Sequence, residues 1–261
     1  MMVGKIIAFI NQKGGVGKTA TSANLAYCLA TNGKKILLID VDPSRNLTKI
    51  YCKSYEHSVK DVFYDKKFNP QDAIFQAKVR ENLVPNLYIL PSHVSLAAIA
   101  GHIASLNAHK EKLLARQIDK IQNQYDYIII DCPPMLTDFS VNAVYAADFI
   151  LIPLTYEKDA LEGVGDLFKF INEIKEDQEF DYMMLRNGLD SRKKTANAYI
   201  EKELEPFIAK NKVFKTIIPQ DEEINKAKFD DEPVLTFCSK SCGAQEYYAL
   251  AKEIQEFLDG K

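Results

Sequence analysis

The sequence predicts an α/β fold: a doubly wound, mostly parallel β-sheet flanked by helices, in a single domain spanning residues 1–261. Three observations carry this. Short apolar runs rich in β-branched residues alternate with longer segments of helical periodicity almost to the C-terminus. Most of those runs are continuously apolar, as a strand covered on both faces requires, whereas a strand with one wet face would alternate. The 261 residues, 47% hydrophobic and 26% charged, show no internal repeat, Gly/Ser linker or low-complexity tract to mark a boundary.

Taken in order, strands are expected at 5–10, 35–41, 87–90, 127–131, 149–154, 182–186 and 213–218. Between the first two, a helix over 19–31 places Ala23, Ala26, Tyr27 and Ala30 on one face, with Gly33 where a helix C-terminus favours it. Residues 51–86 are polar, aromatic and charge-mixed without a clear period, and no element is assigned there. At the C-terminal end Tyr247, Leu250, Ala251, Ile254 and Leu258 form one helical stripe. The polar residues around it include Glu246, Glu253, Glu256 and Asp259, which anionic lipid would repel, so this helix is expected to dock on the core.

Composition narrows the function classes. The formal charge of −3 excludes a uniformly basic surface, so any nucleic-acid contact must come from a local patch. No apolar run approaches the roughly 20 residues of a membrane-spanning helix. The five cysteines (Cys28, Cys52, Cys132, Cys238, Cys242) and the lack of a charged-then-apolar leader favour a cytoplasmic location without disulfides. His57, His93, His102 and His109 show no common ligand spacing.

The chemistry lies after the first expected strand, in Asn11-Gln12-Lys13-Gly14-Gly15-Val16-Gly17-Lys18-Thr19, just before the first helix. Gly14, Gly15 and Gly17 allow backbone N–H groups to turn around an anion, and the helix start adds its positive dipole end. Lys18 can then reach the β- and γ-phosphates, and the Thr19 hydroxyl can ligate Mg²⁺. A tight turn with incidental glycines would need neither the lysine nor the hydroxyl. The usual G-x-x-x-x-G-K-[ST] pattern has Gly where this chain has Gln12, and Lys13 is an additional lysine.

With that loop, K-G-G-x-G-K-[ST] over 13–19, the sequence resembles the deviant Walker A ATPases of the ParA and MinD superfamily. The resemblance implies a P-loop NTPase-type fold, ATP/ADP and Mg²⁺ as cofactors, and nucleotide contacts from Lys13 through Val16 and Gly17 to Ala20. It also implies a homodimer with ATP sandwiched between subunits, in which Lys13 reaches the partner's nucleotide.

Asp40 and Asp42 end the second expected strand at a carboxyl edge of the kind that holds ligands, and their spacing points both the same way from an extended chain. The resemblance puts Asp40 near the metal and Asp42 near the attacking water, so Asp42 joins Lys13 and Lys18 as the expected catalytic set. The family's usual Gln after Pro43 is Ser44 here, while Asn46 and Leu47 match. Asp131, opening Asp131-Cys132-Pro133-Pro134 with Asn142 and Ala143 beyond, reads as a Walker B carboxylate holding Mg²⁺ through water. Positioning and charge neutralisation carry most of phosphoryl transfer, and a carboxylate orients water only weakly, so slow turnover accelerated by a partner is expected.

Arg186-Asn187-Gly188-Leu189-Asp190 resembles the family's adenine-side loop, with Asn187 on the base, and Pro219 and Gln220 correspond to a second base-contacting loop. The likeness extends to Ala160-Leu161-Glu162-Gly163. It implies a DNA-segregation ATPase whose ATP dimer binds duplex DNA non-specifically on the nucleoid and is released by a ParB-type centromere-binding partner. Between residues 186 and 228, ten Lys/Arg face seven Asp/Glu. Arg192, with Lys193 and Lys194, falls where the family contacts DNA, and Lys226 and Lys228 could add phosphate contacts. The acidic stretch Asp221-Glu222-Glu223 stands where relatives are usually basic. That keeps open the same switch acting on a non-DNA cargo, such as a chemoreceptor array or protein compartment. A MinD-like membrane-cycling ATPase stands as a further alternative against which the acidic tail helix argues, and a metal-cluster carrier would rest on Cys238 and Cys242 alone.

Overall fold

The computed structural model describes residues 3–106, 108–157, 161, 163–176 and 180–260. Eight strands build one sheet: β1 (Lys5–Phe9), β2 (Ile36–Asp40), β3 (Phe75–Val79), β4 (Asn82–Leu90), β5 (Tyr127–Asp131), β6 (Phe149–Thr155), β7 (Asp181–Leu189) and β8 (Val213–Pro219). Their order is β3-β4-β2-β5-β1-β6-β7-β8, and every pairing is parallel except β3 with β4.

Both faces of the sheet are covered. Along β1, Ile6 and Ala8 point into one core and Ile7 and Phe9 into the other. The first core is closed by α3 (Val59–Tyr64), α4 (Leu96–Ala104), α5 (Leu113–Ile118), α6 (Asp138–Ala146), α7 (Val164–Lys175) and α8 (Lys194–Ile208). The second is closed by α1 (Lys18–Thr31), α2 (Asn46–Tyr51), α10 (Val234–Phe237) and α11 (Cys242–Asp259), with α9 (Glu222–Phe229) contributing Ala227. Two-sided burial explains the continuous apolar runs of the central strands. Gly33, at φ +86°, turns the chain out of α1 as expected.

Residues 51–86 resolve into α3 and an edge hairpin. Ser58 caps α3, accepting from the Lys60 N–H while Asp61 accepts from the Ser58 N–H at 2.9 Å. In the hairpin, β4 begins five residues before the expected 87–90 strand, because its first half pairs with β3 and only its second half with β2. Pro85 lacks an N–H and Asn86 sits at φ +61°, so the alternation that would announce a strand is broken midway. At the other end of the sheet, β7 runs on through Asn187 and Leu189, and β8 through Pro219. The expected base-side loops are therefore strand ends, ordered by their mutual pairing.

α11 docks on the core as its stripe requires: Tyr247, Leu250, Ala251, Ile254 and Leu258 are all buried. Its acidic residues serve the sheet. Glu253 accepts from the Lys215 and Thr216 N–H groups at 2.7 and 3.0 Å, covering the exposed edge of β8, and Asp259 accepts from Tyr127 Oη at 2.6 Å and Lys34 Nζ at 3.1 Å. Among the described residues no helix is long and apolar enough to cross a membrane. Leu250→Ala should therefore destabilise the protein by about 2–5 kcal/mol, read as a lower urea midpoint at unchanged slope.

Candidate active site

Three segments meet at the carboxyl ends of β1, β5 and β2, where the strand order switches direction. Gly15 and Gly17 take φ of +78° and +89°, a region glycine enters without strain. A Cβ at Gly14 or Gly15 would meet nothing within 4 Å, so the loop faces open space. At Gly17 a Cβ would lie 2.0 Å from Asn187 Nδ2, so only glycine allows the end of β7 to close on the loop. Asn187 Nδ2 donates to the Val16 carbonyl at 2.7 Å. The buried Lys18 Nζ donates to the carbonyls of Asn11 at 2.8 Å and Lys13 at 3.2 Å, holding the loop curled over the first turn of α1. Burial lowers the Lys18 pKa, and the Asp131 charge opposes that shift.

Thr19 Oγ1 donates to Asp131 Oδ2 at 2.7 Å and Ser22 Oγ to Asp131 Oδ1 at 3.3 Å, so the start of α1 is tied to the end of β5. Asp131 is fully buried. Burial raises its pKa, the charge of Asp40 adds to the rise, and the Thr19 hydrogen bond opposes it. Asp40 is its register partner across β2 and β5.

Asp40 and Asp42, expected to share one metal or water site, take different hydrogen-bond partners. β2 ends at Asp40, the Val41 N–H still donates to the Asp131 carbonyl at 3.1 Å, and the chain turns only at 42–45, where the Arg45 N–H donates to the Asp42 carbonyl at 2.9 Å. Asp40 turns inward and accepts from the Asp42 N–H at 3.0 Å, the Thr48 N–H at 2.9 Å and Thr48 Oγ1 at 2.7 Å. Thr48 Oγ1 in turn accepts from the Ser92 N–H at 2.8 Å. Burial raises the Asp40 pKa and the Thr48 donors restrain the rise. Asp42 instead lines a cavity, its Oδ1 accepting from the Ser44 N–H at 2.8 Å.

Two cavities, each about 290 Å³, flank the loop and share Gly15, Gly17, Ala20 and Lys228 in their walls. The first adds Lys18, Thr19, Asp42 and Cys132; the second adds Asn187, Asp190, Lys193, Pro219 and Gln220. In the wall of the second, the buried Thr155 hydroxyl and Asn197 Oδ1 have no hydrogen-bond partner among the described residues. A glycine cradle, a buried ammonium, hard hydroxyl and carboxylate oxygens and orphaned polar atoms in a polar cleft together fit a nucleoside triphosphate with a hard divalent cation. Among the described residues no three His, Cys, Asp or Glu side chains converge as a metal cage, so such a cation would need phosphate and water oxygens as well.

The other expected positions scatter more. The Lys13 ammonium pairs with Glu157 of the same chain, just past β6. Arg192 is bound by Asp190, and Lys226 by Glu223 at 2.8 Å and Glu222 at 3.7 Å, so these two expected DNA contacts are neutralised locally. Lys193, Lys194 and Lys228 are exposed, with no ion pair among the described residues. Of Ala160-Leu161-Glu162-Gly163, Ala160 and Glu162 lie outside the described residues. Sequence reasoning missed Thr48, Ser22 and Glu157, whose roles come from tertiary approach, and passed over Asp190, although its carboxylate stood in a motif already singled out.

The family model described as an AAA domain matches residues 4–184. The chain is 36% identical over 258 residues to the sporulation initiation inhibitor protein Soj of Bacillus subtilis, covering 97% of this chain and 98% of that one. It is 31% identical over 257 residues to the chromosome-partitioning ATPase Soj of Treponema pallidum, covering 97% of each. Among crystal structures, a cobyrinic acid a,c-diamide synthase from Mycobacterium smegmatis with bound ATP analog and magnesium is similar, with a TM-score of 0.79 and 26% identity over 99% of this chain and 98% of that one.

Thr48→Val keeps the shape of the side chain but leaves Asp40 short of a donor and the Ser92 N–H short of an acceptor. It should cost about 1–3 kcal/mol of stability, measured by urea unfolding without nucleotide.

Proposed function

The chain belongs to the Soj/ParA family of partition ATPases, and on that premise we propose that it is an ATP-dependent dimerising switch that segregates or positions DNA. One observation carries the reading: the glycine loop, Lys18 and Thr19 converge with Asp42 on one cavity, and Thr19 is held from behind by Asp131. Lys18 and the loop N–H groups would bind the phosphates, and Thr19 with Asp131 would hold the cation, Asp131 through water. Bound Mg²⁺ would supply charge neutralisation at the β- and γ-phosphate oxygens. Asp42, fixed by the Ser44 N–H, would orient the attacking water. Asn187, Pro219 and Gln220 line the second cavity, where the base would sit. Asp40 would act by holding the Asp42 backbone and Thr48 in place.

The proposed route from binding to dimerisation runs through Lys13. Its ammonium must leave Glu157 to reach a second subunit's nucleotide, so ATP and a partner copy compete with an internal ion pair. DNA would be held non-specifically by Lys193, Lys194 and Lys228, on the dimer, and released when a ParB-type partner accelerates hydrolysis. A second reading, the same switch with a protein cargo, is favoured by the pairing of Lys226 with Glu222 and Glu223, which removes positive charge from α9.

In an Asp42→Ala variant, light scattering should report a dimer with Mg-ATP and a monomer with Mg-ADP. Duplex DNA should bind the dimer at low salt and dissociate as salt rises, and an ATP dimer indifferent to DNA would turn the search to a protein cargo. Lys13→Ala should bind nucleotide and remain monomeric. Normal dimerisation and hydrolysis by that variant would remove its proposed role across the interface.

A further inference from the structure

One residue in the wall of the second cavity is held from outside it by an ion pair that neither phosphate binding nor hydrolysis requires. Asp190, in its wall, is buried, and both oxygens of its carboxylate are taken by Arg192. Oδ1 accepts from the Arg192 backbone N–H at 3.1 Å and from Nε at 2.8 Å, and Oδ2 accepts from Nη2 at 2.8 Å. This is the bidentate fork in which a guanidinium and a carboxylate fit best. The guanidinium lies outward, with 83% of the Arg192 side chain exposed. The backbone behind the pair is fixed: the Asp190 carbonyl accepts from Asn197 Nδ2 at 2.9 Å and from the Lys193 N–H at 3.0 Å, and the neighbouring Leu189 carbonyl accepts from the Gln220 N–H at 2.8 Å. The fork holds the Asp190 carboxyl well below the usual carboxylate range, at about 2, so it is ionised at any working pH.

An ionised carboxylate in the wall of a purine site has a second natural partner. Guanine carries an N1–H and an exocyclic N2 amino group side by side, two donors spaced to meet two carboxylate oxygens. At the same positions adenine offers a ring-nitrogen acceptor and a C–H. An open Asp190 would therefore attract guanine and repel the adenine ring nitrogen, and a clamped one does neither.

We propose that Arg192 is a specificity-determining residue: by engaging both oxygens of Asp190, it withholds that carboxylate from a guanine base and keeps the second cavity for adenine nucleotides. The inference rests on the reading of this cavity as the base end of the nucleotide site. It also explains why the arginine of this loop is paired while its neighbours Lys193 and Lys194 are not, among the described residues.

The test uses a fluorescent N-methylanthraniloyl-ADP probe with Mg²⁺ on the full chain, displaced by ADP and by GDP, which avoids both hydrolysis and ATP-driven dimerisation. The ratio of the two affinities within one preparation cancels any loss of active protein. Wild type should favour ADP. Arg192→Ala should move the ratio toward GDP by about ten-fold or more, the worth of a charge-assisted hydrogen bond. Asp190→Asn added to Arg192→Ala should reverse the shift. A ratio unmoved by Arg192→Ala overturns the proposal and leaves the nucleotide site standing, and so does a shift that survives in the double variant. A wild-type protein that binds neither the probe nor ADP overturns this inference together with the nucleotide reading beneath it.

Discussion

Asp131 is a carboxylate with no access to solvent at the end of a central strand, beside a second buried carboxylate in register, and the site is organised around that cost. Two buried negative charges on neighbouring strands are unfavourable unless each is supplied with donors. The chain supplies them separately. Thr19 and Ser22, one turn apart on α1, serve Asp131, and Thr48 with the Asp42 N–H serves Asp40. Satisfying the first carboxylate anchors the N-terminus of α1 over the sheet. Satisfying the second anchors α2 and, through the Ser92 N–H, the segment after β4.

The same arrangement makes the cleft responsive. A cation beside Thr19 would relieve the burial penalty that raises the Asp131 pKa, so ligand binding and local stability are linked through one group. Around this buried centre, outer contacts include the ion pairs of Lys13 with Glu157 and Lys226 with Glu223. Such pairs exchange partners at small cost because water and salt screen them. A hydrogen-bonded floor beneath exchangeable rim contacts suits a protein that must change partners without losing its fold.

The charge that would meet DNA is partly cancelled within its own loop and within α9, leaving Lys193, Lys194 and Lys228 exposed. Counter-ion release scales with the cations that are free to displace ions, so any DNA attachment made through this small set would be weak and salt-sensitive.

The central strands, α1 with its Gly33 exit, the apolar stripe of α11 and the glycine-lysine-threonine loop were all legible in the amino-acid order. Each follows from local rules: buried runs, helical period, backbone freedom and the donors a phosphate needs. The edge hairpin was not legible, because Pro85 and Asn86 interrupt the alternation that pairing with β3 nevertheless tolerates. Nor could spacing tell that Asp40 would be occupied by Thr48 while Asp42 lines the cavity, since those partners come from α2 and from the turn after β2. The partners of Lys13, Arg192 and Asn187 were likewise decided only in three dimensions. Charge and hydrogen-bonding capacity belong to a residue, but which group satisfies them depends on the segments that the sheet brings within about 3 Å.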